Sequence, residues 1–175
     1  NNSIDIRTTL QINKGDYPMM PRFGLVTTVA KELDSVTWFG RGPWENYWDR
    51  KQSALINKYS ANVKDMWHPY IRPQETAHYT DVSSLNVQSN DTKFVITGSP
   101  FEFNIYPFTD DDLYSGPQKQ QFHGLELKPR DFNTLHLDYG MMGLGGIDSW
   151  GTWPMEKYRL PANKIYNFYI NLDIK

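Results

Sequence analysis

Cysteine is absent from this sequence, and so is any long apolar run. Without cysteine the chain has no disulfide framework, no thiolate metal site and no cysteine nucleophile. No apolar run approaches the roughly 18 to 20 residues that a membrane span needs, and the polar start Asn1-Asn2-Ser3 is not a signal peptide. We therefore expect no membrane partner, and the sequence shows no targeting signal that would indicate a particular compartment.

A strong charge of either sign is also lacking, because the net charge is −2 at pH 7. Nucleic-acid binding relies on clustered Lys and Arg, so we expect no nucleic-acid partner. There is no phosphate loop, no His-Glu-x-x-His zinc helix and no Gly-x-Ser-x-Gly elbow. In the glycine cluster Gly140 to Gly146, Asp148 stands where a dinucleotide fingerprint would place its third glycine, which argues against a nucleotide cofactor.

Aromatic residues, in contrast, are abundant at 15%, with six Trp and eleven Tyr. Most of them are expected in the core, because aromatic side chains pack well on pleated strands. A flat ring beside Asp, Asn, Arg or His can also stack on the apolar C–H face of a sugar. The composition therefore leaves both a packed core and a carbohydrate site open.

Alternation of apolar and polar residues with period two dominates the chain and predicts an all-β sandwich. We treat residues 1–175 as a single domain, because this length suits one hydrophobic core. Only two short segments look helical, Trp44 to Gln52 and Asp110 to Tyr114. The predicted strands are Ile4 to Ile12, Gly24 to Ala30, Val36 to Phe39, Ala77 to Val87, Lys93 to Gly98, Phe101 to Tyr106, Gly124 to Leu127, Thr134 to Tyr139 and Tyr166 to Ile174.

Metal ligands are not apparent in the sequence. The four histidines are scattered without a short metal-ligand spacing, and structural roles are expected for most of them, less securely for His78 and His123. The run Asp110-Asp111-Asp112 fits a solvated helix start better than a calcium site. We expect no metal and no cofactor in this domain.

Carboxylates are the groups that glycoside hydrolysis uses, as an acid and a nucleophile or base on opposite sides of one bond. Glu75 lies in a compact polar stretch between two predicted strands, and Asp148 lies in a glycine-rich loop beside Trp150. Neither forms a recognisable catalytic pair in the sequence. The glycines from Gly143 to Gly151 permit sharp turns around Trp150, so its ring either faces a ligand or folds back onto the sandwich.

Four sequence strings make the chain resemble the C-terminal domain of the bacterial β-galactosidases of glycoside hydrolase family 2, the β-galactosidase small chain. The resemblance covers nearly the whole chain. It implies a large antiparallel super-sandwich, similar to the galactose mutarotase-like fold of aldose epimerases. The sandwich would lie beside a TIM barrel that holds the catalytic glutamates, outside this chain. The strings are Met20-Pro-Arg-Phe-Gly-Leu25, Trp38-Phe-Gly-Arg-Gly-Pro-Trp-Glu-Asn-Tyr-Trp-Asp-Arg50, Tyr70-Ile-Arg-Pro-Gln-Glu75 and Gly143-Leu-Gly-Gly-Ile-Asp-Ser-Trp150.

The resemblance also implies a role for Trp150, the tryptophan of the Gly-Gly-x-Asp-Ser-Trp string, which in the family reaches the barrel's active site and stacks on the sugar. After Glu75 the sequence departs from the family, because Thr76-Ala77 replaces the commoner Asn-Gly. We expect no catalytic residue in this chain. The predicted substrate-binding residues are Trp150, Asp148, Ser149, Arg72, Glu75 and His78.

Two structural roles are predicted beside these contacts. Glu45, Asn46, Asp49 and Arg50 most simply brace the sandwich or a domain interface. Arg72 and Glu75 are expected to form an internal ion pair that shapes their loop.

The predicted function is that of an accessory domain of a retaining β-galactosidase, which cleaves terminal β-D-galactosides. Its partners would be a β-galactoside or galactose and the other domains of the same enzyme, with the family's Mg and Na ions outside this domain. Periplasm and cytoplasm both stay open.

Two alternatives remain. An autonomous epimerase-like enzyme would need Glu75 or Glu126 as base and His78 or His123 as acid in one cleft. A free-standing carbohydrate-binding module would need only an aromatic platform.

Overall fold

A computed structural model describes residues 2–72, 74–114, 123–148 and 150–175. Nearly all regular structure in these ranges is β, with three 3₁₀ turns at Val63–Asp65, Gly124–Glu126 and Glu156–Tyr158. None of the described helices is long and apolar enough to cross a membrane. The elements are β1 (Ser3–Leu10), β2 (Met19–Met20), β3 (Arg22–Ala30), β4 (Ser35–Gly42), β5 (Leu55–Asn62), β6 (His78–Gln88), β7 (Lys93–Tyr106), α1 (Asp110–Leu113), β8 (Phe132–Met141), β9 (Leu160–Pro161) and β10 (Tyr166–Ile174).

The long strand β7 joins two branches of one antiparallel sheet. Its first half pairs with β10, with Ile96 opposite Leu172, and β10 pairs in turn with β1. Its second half pairs with β8, with Phe103 opposite Leu137, and β8 pairs with β3. On its other side β7 pairs with β6, which leads to β4 and β5. The sheet therefore forks along β7 into a β10–β1 branch and a β8–β3 branch.

The two branches pack against each other through aromatic side chains. The ring of Phe23 on β3 lies 6.1 Å from that of Tyr166 and 6.4 Å from that of Phe168, both on β10. Tyr139 on β8 also contacts Tyr166, with ring centroids 5.2 Å apart. Burying aromatic surface between sheet layers is a main source of sandwich stability. The predicted all-β, antiparallel sandwich is confirmed.

Alternation in the sequence determines which faces are buried. In β10, Tyr166, Phe168 and Ile170 are buried, whereas Asn167 between them is exposed. The other side of the core contains Trp38, whose ring packs edge-on against Tyr79 with centroids 4.8 Å apart. Period-two patterning thus predicted most strands within a few residues at their ends, although the strands predicted at Lys93 to Gly98 and Phe101 to Tyr106 are one strand, β7.

Two predicted elements are wrong. Trp44 to Gln52 contains no helix but turns and an isolated bridge between Tyr47 and Arg50, because the backbone N–H of Asn46 is drawn to the carbonyl of His78 on β6. Gly124 to Leu127 is a 3₁₀ turn rather than a strand. A Cβ on Gly124 would lie 2.6 Å from the backbone of Pro69, so this segment is packed tightly onto another loop.

The short helix at the aspartate run is confirmed as α1. Thr109 caps it: its side chain accepts the backbone N–H of Asp112, and the Asp112 carboxylate accepts the N–H of Thr109 at 2.9 Å. This reciprocal pair satisfies two backbone donors that a helix start otherwise leaves free.

Candidate functional site

Trp150 stands out of the molecular surface, with 92% of its side chain exposed. The loop that carries it turns through glycines with left-handed backbone, Gly145 at φ 79° and Gly151 at φ 88°. Asp148 fixes the turn: its carboxylate accepts the backbone N–H of Trp150 at 2.8 Å and bonds the backbone and hydroxyl of Thr152. These hydrogen bonds, led by that of the Thr152 hydroxyl, lower the pKa of Asp148. Ser149, another predicted site residue, lies outside the described residues.

The base of this loop is held by Asp49. The Asp49 carboxylate accepts the backbone N–H of Leu144 at 3.1 Å and that of Gly145 at 2.8 Å. A side chain at Gly143 would crowd the same carboxylate, because a Cβ there would come within 2.6 Å of it. Asp49 therefore ties the Trp44–Arg50 segment to the glycine loop, which agrees with the bracing role predicted for that segment.

Glu45, in the same segment, stabilises the chain that leads into β6. Its carboxylate accepts the backbone N–H of Ala77 at 2.8 Å and the hydroxyl of Thr76 at 3.1 Å, and it bonds the Tyr70 hydroxyl and Arg50. Ala77 has φ 58°, a left-handed conformation that glycine adopts more readily. The glycine expected at this position is thus replaced by an alanine whose backbone N–H is held by the partly buried carboxylate of Glu45.

Glu75 forms its ion pair with Arg22 and not with Arg72, contrary to the prediction. The Arg22 Nη2 lies 3.1 Å from the Glu75 carboxylate, and Asn104 donates to the same oxygen at 2.5 Å. Arg22 reaches this position from β3 because strand pairing brings β3, β8 and β7 side by side. Arg72 is exposed on its loop, so it is free to meet a ligand or another domain.

His78 lies beneath this ion pair and is fully buried. One ring nitrogen contacts Asn104 at 2.7 Å and the other contacts the Glu102 carboxylate at 3.0 Å. Although burial acts to lower the pKa of His78, the Glu102 hydrogen bond and charge raise it overall. Direct contact between His78 and a sugar therefore has no support in this structure. His78 instead positions Asn104, which donates a hydrogen bond to Glu75.

Asp138 is the most deeply placed carboxylate of the same sheet face. Burial raises its pKa to about 6, against the attraction of Arg22, whose Nε lies 3.1 Å from one carboxylate oxygen. The two groups attract as charges, yet neither oxygen of Asp138 is aligned for a hydrogen bond with a described residue. Gly24 makes room for it, since a Cβ there would lie 2.1 Å from the carboxylate.

A cleft of about 490 Å³ opens between these groups and the glycine loop. Arg22 and Glu75 provide its charged wall, and Met141 and Leu144 provide an apolar one. A neighbouring cleft of about 580 Å³ shares Glu75 and Leu144 and is also lined by Arg72. The structure thus places three of the predicted or newly found polar residues, Arg22, Arg72 and Glu75, beside the base of the Trp150 loop.

Comparison with known proteins identifies one family that covers nearly the whole chain. The family model of the β-galactosidase small chain matches residues 1–172. The chain belongs to the β-galactosidase small chain family. It is 37% identical over 151 residues to a β-galactosidase of Priestia megaterium, covering 85% of this chain and 14% of that protein. It is 34% identical over 174 residues to a β-galactosidase of Pseudoalteromonas haloplanktis, covering 98% of this chain and 16% of that protein.

The small chain therefore spans about one-sixth of the length of these curated relatives.

In the described part of the chain, no group of three or more His, Cys, Asp or Glu could hold a metal ion. Of the bases and acids considered for an epimerase, Glu126 accepts the backbone N–H of His123 at 2.8 Å, and the His123 ring contacts the Ile71 carbonyl. Both side chains therefore take part in hydrogen bonds that hold the loops together.

Sequence reasoning missed Arg22, Asp49 as a loop anchor, Glu102 and Asp138. Three of them, Arg22, Glu102 and Asp138, lie on different strands and act through partners far away in the chain, which a local pattern does not reveal. Arg22 and Asp49 do lie inside the strings that carry the family resemblance, so their position there was the available signal.

Proposed function

We propose that this chain is the accessory domain of a retaining β-galactosidase of glycoside hydrolase family 2, and that it supplies Trp150 to the sugar site. The observation that carries the proposal is the 92% exposure of Trp150 on an anchored loop. Exposing a whole indole to water forfeits roughly 1.5–3 kcal/mol or more of burial. A loop that holds the ring outward through Asp148 and Asp49 is therefore built for contact with something else.

A sugar ring fits that contact. One face of a galactopyranose presents C–H groups that stack on an indole, while its hydroxyls need polar partners at the edge. Arg72 and Glu75 line clefts at the base of the same loop and offer a donor and an acceptor. Asp148 is already occupied by the loop's own amides, so we assign it to shaping the loop rather than to touching the sugar.

The acid and the nucleophile of hydrolysis belong to the rest of the longer enzyme in this proposal. A retaining glycosidase needs two carboxyl groups about 5–5.5 Å apart on either side of the bond. Here Glu102 and Asp138 are buried, and Glu75 is paired with Arg22. The Mg and Na ions of the family are likewise assigned to other domains.

Two kinetic assays, one on the 175-residue chain and one on a full-length enzyme, test the proposal together. The 175-residue chain should not hydrolyse a nitrophenyl β-galactoside, and turnover above the uncatalysed rate would contradict the accessory role. In a full-length enzyme that carries this domain, Trp150→Ala should raise KM for the galactoside about tenfold, while Trp150→Phe should recover part of the loss. An unchanged KM in Trp150→Ala would remove Trp150 from the sugar site.

A further inference from the structure

A second aromatic side chain, Trp44, is exposed on another segment of the chain, with 77% of its surface accessible. Its backbone is rigidly held: the carbonyl of Trp44 accepts the side-chain amide of Asn46 at 3.0 Å. Asn46 itself is buried, donates its backbone N–H to the His78 carbonyl at 2.7 Å and accepts from Thr80. The exposed indole therefore projects from a fixed base, so binding a ligand here would require little ordering of the backbone.

Trp44 borders a cleft of about 540 Å³, within the range of about 300–1,000 Å³ that pockets for small ligands occupy. Trp67 and Tyr70 supply further aromatic wall. The Tyr70 hydroxyl is fixed by Glu45 and by Arg50, which donates to it at 3.0 Å. None of the residues that line this cleft belongs to the glycine loop that carries Trp150.

Polar groups around the cleft are available for a ligand. Within residues 2–72, 74–114, 123–148 and 150–175, the side chains of Ser53, Asp65 and His68 make no hydrogen bond. Arg50 uses only one terminal nitrogen for Glu45 and Tyr70, which leaves its other N–H groups to donate. A hydroxyl, a carboxylate, an imidazole and a guanidinium thus surround the indole.

We propose that the Trp44 cleft is a second carbohydrate-binding site, which takes a neutral pyranose sugar such as a galactosyl or glucosyl unit. The indole would stack on the C–H face of the ring, and Asp65, His68 and Arg50 would bond its hydroxyls. A neutral ligand fits because Arg50 offsets the charge of Glu45, so that only Asp65 leaves a net charge in the cleft. Trp150 does not line this cleft, which shares Arg50, His68 and Tyr70 with the neighbouring cleft that Arg72 and Glu75 line. Its function would be to hold a further sugar unit of the ligand.

The test uses the 175-residue chain labelled with nitrogen-15, into which galactose and lactose are titrated. The six indole N–H signals are assigned with single Trp variants and followed separately. We expect the Trp44 signal to shift with a Kd in the range of about 1–10 mM. Trp44→Ala, followed through the Trp67 indole signal of the same cleft, should weaken the binding at this site at least about tenfold. Asp65→Asn should weaken it about threefold, whereas Trp150→Ala should leave the Trp44 signal responding as before.

Tyr17→Ala, which removes another exposed aromatic ring elsewhere, is the matched control and should change nothing. If the Trp44 signal stays unmoved up to about 100 mM sugar, well above the expected Kd, the second site does not exist. A response of Trp150 alone would overturn this inference and support the proposed function. A Trp44 signal that shifts with protein concentration but not with sugar would show that another copy of the chain occupies the cleft, and would also overturn it.

Discussion

The carboxylate of Asp49 and the backbone N–H of Gly145 lie 2.8 Å apart, and this hydrogen bond joins two segments that are 96 positions apart in the sequence. The bond is charge-assisted. The same carboxylate also accepts the backbone N–H of Leu144, so removing it takes the acceptor from both amides.

Asp49→Ala should therefore loosen the glycine loop. A hydrogen bond to a charged group contributes about 1.5–3 kcal/mol, so we expect exchange of the amides at 144 and 145 to rise at least about tenfold. Hydrogen exchange followed by NMR measures it. Asp131→Ala removes an exposed aspartate that pairs with Lys31 and should leave the loop unchanged. Equal exchange in both variants would show that Asp49 does not anchor the loop.

Trp150→Ala and Trp38→Ala should differ strongly in stability. Because Trp150 is exposed, its loss should change the free energy of unfolding by less than about 1 kcal/mol. Trp38 is 1% exposed and donates to the Arg41 carbonyl, so Trp38→Ala should cost about 3–5 kcal/mol. Urea unfolding of both variants compares them directly. A large loss from Trp150→Ala would mean that its ring packs onto the domain.

Gly24→Ala should destabilise the β3–β8 pair, because the new Cβ would lie 2.6 Å from the Leu137 carbonyl and closer still to Asp138. Backbone must move to relieve such contacts, and we expect a loss of about 1–3 kcal/mol. Val26→Ala, on the same strand but exposed, should cost less. Thermal unfolding of both variants is the measurement, and a neutral Gly24→Ala would show that the sheet can widen at this point.

The titration of Asp138 should make the protein less stable as the pH rises from about 4 to 6. Its folded pKa of about 6 exceeds the ordinary value of 3.8, so folding takes up a proton in this window and the free energy of unfolding falls as the pH rises. NMR of the carboxyl carbons should give a midpoint near 6. Asp138→Asn should remove this part of the pH dependence; an unchanged pH profile would contradict it.

Asp112 provides the comparison of opposite sign. The hydrogen bond from Arg130 lowers the pKa of Asp112 to about 2, so its stabilising contribution is present above pH 4 and is lost as the pH falls toward 2. The Arg130–Asp112 contact is bidentate, at 2.9 Å and 2.6 Å. A carboxyl midpoint near 4 for Asp112 would show that this pair does not persist in solution.

Local patterns predicted what local physics determines. The alternation in β10 predicted its buried face, and the run of aspartates predicted α1 because acidic residues favour the first turn of a helix. The glycines around Trp150 permitted either an outward or an inward ring, and the family resemblance favoured the outward position that the structure shows.

Long-range contacts explain the failures. Glu75 has an arginine three residues before it in the sequence, yet the one it pairs with, Arg22, is brought from another strand by sheet registry. The segment from Trp44 has the composition of a helix, but Asn46 in it bonds to His78 and Thr80 of β6. These tertiary hydrogen bonds outweigh a weak local preference for helix. Strand β5, whose side chains are mostly exposed, gave no clear apolar alternation to recognise.

The pairing of β1 with β10 has a consequence for biosynthesis. Thr9 on β1 and Asn167 on β10 form a hydrogen bond although they are 158 positions apart. A ribosome adds about 5–20 residues per second, so β1 is synthesised on the order of 10–30 s before its partner strand. An unpaired strand is a template for aggregation during that time. The outward charges of Asp5 and Arg7 on β1 are well suited to keep the nascent strand from joining a wrong neighbour.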